Sequence, residues 1–175
     1  KTQIEEIATF GRVATRHEDD YSKLQGFMVE SWRVLDESAT GFRLTRPLSQ
    51  AGGRIGGGQM VAVRPEGSRG YLLTVARWSR ITAGELQAGI QIMPGQPHSV
   101  ALSGTGLTAI NEKYRPGFRM AAVPALDYPE SVVVPAGWFR PGRVIEMYEE
   151  FSRQIRLTRQ LDRGSDYERC AFEGI

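Results

Sequence analysis

Two groups of polar residues in this 175-residue chain stand at spacings suited to chemistry. Arg12 and Arg16 make R-x-x-x-R within G-R-V-A-T-R, and Asp36, Ser38 and Gly41 make D-x-S-x-x-G within V-L-D-E-S-A-T-G-F-R-L. A guanidinium is planar, permanently charged and presents its donors as a fixed fork. It therefore suits phosphate oxygens, the O6/N7 edge of guanine and the face of a purine. An acid, a hydroxyl and a residue without a β-carbon, placed where one apolar strand stops and another begins, offer acceptors, a donor and room for close approach. The same residues also have a local use. Asp36 and Ser38 can bond backbone N–H groups in an Asx-type turn with Gly41 at positive φ, and Arg12 and Arg16 can form a solvated basic turn or pair with Glu18, Asp19 and Asp20.

Other chemistry finds little footing. The two histidines, His17 and His98, and the single Cys170 give no metal-ligand spacing, and neither histidine belongs to a nucleophile motif such as G-x-S-x-G. The carboxylate runs Glu18-Asp19-Asp20 and Glu149-Glu150 read as solvated faces. The glycine cluster A-G-G-R-I-G-G-G-Q-M at 51–60 lacks the following helix and the G-K-S/T ending of a phosphate loop. It reads as a flexible turn leading into a strand. No enzyme, metal or cofactor is expected.

Composition sets further bounds. The chain is 41% hydrophobic and 24% charged, enough for one sizeable domain or two small ones packed together. A net charge of +2 argues against a DNA-coating surface, although Lys occurs only at positions 1, 23 and 113 and the remaining basic residues are Arg. No apolar run approaches the roughly 20 residues needed to span a bilayer, and no signal peptide is visible. A lone cysteine fits a reducing cytoplasm. Because the chain begins at Lys1 without Met, it is expected to be a piece of a longer protein.

The elements that must position these residues are mostly strands. Residues 1–11 form a lead-in, with Ile4, Ile7 and Phe10 spaced as a weak helical face. From Phe27 come F-M-V-E-S-W-R-V-L, G-F-R-L-T-R-P-L, Q-M-V-A-V-R-P, G-Y-L-L-T-V-A-R-W, L-Q-A-G-I-Q-I-M and H-S-V-A-L, separated by turn residues about every ten positions, the rhythm of a small antiparallel barrel. That barrel is assigned to residues 12–102. A polar segment follows, then a second β series through residues 103–175, in which Pro135, Gly137, Pro141 and Gly142 exclude a continuous helix. The expected fold is all-β, a barrel followed by a second β subdomain.

R-x-x-x-R upstream of D-x-S-x-x-G at the end of a strand in a small barrel resembles the PilZ domain, the bacterial receptor module for cyclic di-GMP. The resemblance covers about residues 12–102. It extends to Gly58-Gln-Met-Val-Ala-Val-Arg64, which looks like the strand after a glycine turn in these domains. It also extends to V-A-R-W-S-R-I-T-A-G-E-L-Q-A-G-I-Q-I, which looks like their closing hairpin, with Trp78 in one strand and Gly89 in the other. The resemblance implies that Arg12 and Arg16 take phosphates and guanines, that Asp36 and Ser38 contact guanine or ribose edges, and that Gly41 admits the strand closely. Trp78, with Leu73, Val75 and Ile90 nearby, is expected in the barrel interior.

Three functions compete on these residues. The first is a cytoplasmic, non-catalytic cyclic di-GMP receptor that signals to the rest of a longer protein or to a protein partner. The second is a PilZ-like interaction module without nucleotide. The third, a single-stranded RNA binder, calls for exposed aromatics interleaved with basic residues, and Trp32, Trp78, Trp138 and Phe139 do not form that pattern.

Overall fold

The computed structural model describes residues 3–8, 29–50, 52–105 and 114–175, with 3–8 described by backbone alone. The chain divides into two compact units, Lys1–Met93 and Pro94–Ile175. Each is a closed six-stranded antiparallel barrel.

The first barrel contains β1 (Gln3–Ala8), β2 (Val29–Ser38), β3 (Gly41–Pro47), β4 (Met60–Pro65), β5 (Leu72–Thr82) and β6 (Glu85–Ile92) in the spatial order β1-β2-β3-β6-β5-β4. Period-2 alternation explains the inward rows. Phe42 and Leu44 of β3, Val61 and Val63 of β4, and Leu86, Ala88 and Ile90 of β6 meet Trp32, Ile55 and Ala76 in one core. Burying a side chain of Leu, Ile, Val or Phe size contributes about 1.5–3 kcal/mol, so this interior is what holds the closed sheet. Along β6 the intervening residues Gln87, Gly89 and Gln91 face outward.

The second barrel contains β7 (Pro97–Gly104), β8 (Arg115–Met120), β9 (Ser131–Pro135), β10 (Val144–Tyr148), β11 (Ser152–Arg163) and β12 (Tyr167–Gly174), ordered β10-β11-β12-β9-β8-β7, with one 3-10 turn at Pro124–Leu126. Its core gathers Val100, Leu102, Val132, Val134, Ile145, Met147, Ile155, Leu157 and Cys170.

Two boundaries differ from the sequence reading. The lead-in contains a strand: β1 pairs with β2 and with β4 and so closes the first barrel. The strand beginning at Pro97, expected in the first barrel, pairs with β8 and β10 and belongs to the second. The domain boundary therefore lies at Met93/Pro94 and not near residue 102. Alternation reveals that a segment is a strand, whereas its partners are fixed by tertiary pairing, which leaves no mark in a single strand's pattern.

Candidate functional site

The D-x-S-x-x-G residues stand on the β2–β3 hairpin, whose two-residue turn is Ala39–Thr40. The expected interruption of pairing is present: the register of β2 against β3 shifts between Val34 and Asp36. Ser38 is spent on the turn, its Oγ accepting from the Thr40 N–H at 3.4 Å and donating to the Gly41 carbonyl at 3.3 Å. Asp36 is exposed and pairs loosely with Arg43 across the strands, at 3.8 Å. Gly41 is not in the left-handed region. A β-carbon there would run into the Ile90 carbonyl of β6, so glycine at 41 is required by the close approach of β3 and β6.

Strand register carries this hairpin outward into a wider surface. Asp36 pairs with Arg43, Arg43 with Gly89, and Gly89 with Trp78, a single row across β2, β3, β6 and β5. A parallel row joins Ser38, Gly41 and Gln91, and Arg77 donates its Nε–H to Gln91 Oε1 at 2.7 Å. Together these residues line an open depression of about 370 Å³.

Trp78 corrects the sequence reading, which placed it in the interior. A bulge between Ala76 and Trp78 offsets the strand, and Trp78 is 38% exposed. Its indole lies over Gly89, with the Arg80 guanidinium 5.2 Å from the ring centroid. Of the apolar neighbours that suggested burial, Ile90 belongs to the interior core, whereas Leu73 and Val75, though buried, pair with Ala62 and Met60 on the face opposite Val61 and Val63. What could not be read was the bulge, which reverses the side to which Trp78 points.

The groove is lined by the Trp78 indole, the guanidinium groups of Arg43 and Arg77, the carboxylates of Asp36 and Glu37, and the Gln91 amide. Planar aromatic bases stack on indoles and phosphates take such cations. Arg12 and Arg16 lie outside the described residues, so the structure neither joins them to the groove nor separates them from it. Arg43, Arg77, Trp78 and Gln91 are among the groove residues that the motif search did not select. Their only signal was the pairing of a hairpin tryptophan with a glycine on the opposite strand.

The described residues contain no group of three or more His, Cys, Asp or Glu that could hold a metal ion. They contain no helix long and apolar enough to cross a membrane.

In comparisons with known proteins, a family model described as the FimW C-terminal beta-barrel domain matches residues 100–175, nearly the whole second barrel. No curated protein matches. Two solved structures of K. pneumonia MrkH are similar at 8% identity. The apo structure has a TM-score of 0.29, covering 97% of this chain and 78% of that one. A second structure, of a 2.65 Å P2(1) crystal, has a TM-score of 0.30, covering 98% and 78%. At these scores the likeness carries no functional argument.

Proposed function

We propose that this protein is a non-catalytic receptor that binds cyclic di-GMP on the outer face of its first, PilZ-like barrel and passes the change to the rest of a longer protein or to a protein partner. The observation that carries the reading is the convergence of the D-x-S-x-x-G hairpin with Trp78, Arg77 and Gln91 around one depression. Cyclic di-GMP has two guanines, with flat faces and O6/N7 edges, and two phosphates. The indole of Trp78 matches a guanine face, Arg43 and Arg77 match base edges or phosphate, and Arg12 and Arg16 supply the remaining charge-assisted donors from the segment ahead of β2. Asp36 is exposed enough to exchange its loose ion pair for a guanine N–H. A ligand-induced change in the contacts of Arg12 and Arg16 would be the signal, since a ligand shifts a conformational equilibrium by its preference for one state. The second barrel is then the surface that a partner reads.

A second reading is favoured by the local bonds of the motif. Ser38 is engaged in its own turn and Asp36 already has a partner, as in a PilZ-like interaction module without nucleotide. Calorimetric titration with cyclic di-GMP, using GTP and cyclic di-AMP as controls, decides between them. Saturable binding of cyclic di-GMP alone supports the receptor, and no heat with folded protein leaves the interaction module.

A further inference from the structure

A nearly buried ion pair stands on the same two strands as the groove hairpin and lines no part of the groove. Arg46 of β3 and Glu30 of β2 are 4% and 10% exposed, with Arg46 Nε 2.9 Å from Glu30 Oε2. That N–H points off the line to the carboxylate, so the contact is ionic and not a hydrogen bond. The remaining donors are aimed elsewhere. Arg46 NH1 donates to the Gln50 carbonyl and NH2 to the Gly53 carbonyl, both at 2.8 Å. Glu30 Oε1 accepts from the Gly53 N–H at 2.6 Å, and Glu30 Oε2 accepts from Trp32 Nε1–H at 3.0 Å. The Trp32 ring stacks against the Arg46 guanidinium, 5.3 Å from its centroid.

The two charges therefore grip the glycine-rich connection between β3 and β4, which the sequence suggested was a flexible turn. That connection continues along the edge of β5. The Ile55 carbonyl accepts from Ser79 Oγ at 2.7 Å. The Gly58 N–H reaches the Ala76 carbonyl at 2.7 Å, and the Ala76 N–H reaches the Gln59 carbonyl at 2.9 Å. These bonds bracket Trp78 on both sides, at the bulge that turns it outward.

We infer that Glu30 and Arg46 are positioning residues for Trp78: they fix the 52–59 connection, which splints β5 at Ala76 and Ser79 and holds the indole over Gly89. The inference rests on the nucleotide-receptor reading only where it concerns affinity. Burying a charge pair is costly, and replacing both partners by apolar side chains of similar size is often tolerated. A pair kept for stability alone would be dispensable, whereas a pair kept to hold the connection would not.

The test uses protein labelled with 5-fluorotryptophan, whose three signals from Trp32, Trp78 and Trp138 are assigned by Trp78→Phe and Trp138→Phe. In the double variant Glu30→Leu/Arg46→Met, which leaves no unpaired buried charge, the Trp78 signal should shift and broaden while the Trp138 signal stays. Ser79→Ala leaves the ion pair intact and should move the Trp78 signal in the same direction, which keeps the test decisive if the double variant does not fold. Arg46→Lys keeps the charge but not the forked donation to Gln50 and Gly53, so it should fail to restore the signal. A Trp78 signal unmoved in Ser79→Ala and in either Arg46 variant overturns the inference. On the receptor reading the double variant also loses affinity for cyclic di-GMP on the order of tenfold. If the wild type binds no cyclic di-GMP, that reading fails while the fluorine signals still judge the positioning.

Discussion

The indole of Trp78 occupies the space that a β-carbon on Gly89 would need. The glycine is its seat, and the ring covers a position on β6 that would otherwise leave backbone exposed, an arrangement known to stabilise paired strands. Gly89→Ala should eject the ring. The added methyl meets the body of the indole, and overpacking of this kind typically costs about 1–3 kcal/mol. Emission of Trp78 should shift to the red and become more accessible to acrylamide, and on the receptor reading binding of cyclic di-GMP should weaken. Unchanged quenching in Gly89→Ala would show that the ring is not seated there.

Arg12 and Arg16 are tested by binding. If they bond the phosphates or guanines, Arg16→Ala should weaken binding by roughly 1.5–3 kcal/mol, the range for a hydrogen bond to a charged group, with little change in melting. Affinity should also fall as salt rises, because partly exposed phosphate pairing is screened within a Debye length of about 10 Å at 0.1 M. Salt-independent binding, or unchanged affinity in both single variants, removes the role.

Asp36 and Ser38 now give opposite expectations. Ser38 bonds within the turn, so Ser38→Ala should lower the melting temperature of the free protein through loss of about 1 kcal/mol. Asp36 and Arg43 are exposed and 3.8 Å apart, and exposed pairs contribute about 0–1 kcal/mol. Asp36→Ala should leave melting nearly as before and, on the receptor reading, should reduce the stabilisation expected of a ligand that binds only the folded state, measured with cyclic di-GMP. If Asp36→Ala keeps the full ligand-induced shift, the carboxylate is not a ligand contact.

Most of the strand content was legible in the sequence, because Phe42, Leu44, Leu86, Ala88 and Ile90 alternate with polar residues at the period of a strand facing one core. Pairing was not. Gln3–Ala8 was read as a lead-in with weak helical spacing and Pro97–Gly104 was given to the first barrel, since nothing in six or eight residues states which neighbour will accept their hydrogen bonds. The hairpin bearing Asp36, Ser38 and Gly41 was located from its motif, and its interrupted pairing was foreseen. Trp78 was assigned to the wrong face because a bulge of one residue inverts the alternation beyond it. The Glu30–Arg46 pair was invisible because two residues 16 positions apart meet only once β2 and β3 pair.

Acid should loosen the second barrel at Arg119. Arg119 of β8 donates to both oxygens of Glu149, from Nε and NH2 at 2.9 Å each, and from NH1 to Glu130 at 2.9 Å. This ties the turn after β10 to β8 and to the residue that precedes β9. The bond from Arg119 holds the Glu149 carboxyl below its ordinary value of 4.5 against the opposing effect of burial, with the charges of Arg119, His98 and Arg153 adding to it. Because the folded value is depressed, the contribution to stability is present above 4.5 and is lost as pH falls through the folded value. Glu149→Gln should therefore be less stable than the wild type near neutral pH, and the gap should close under acid. Hydrogen exchange at the amides of β8 and β10 reads this barrel without interference from the other. A gap that stays constant from pH 7 down to pH 3 would mean that packing of the residue, and not its charge, accounts for the difference.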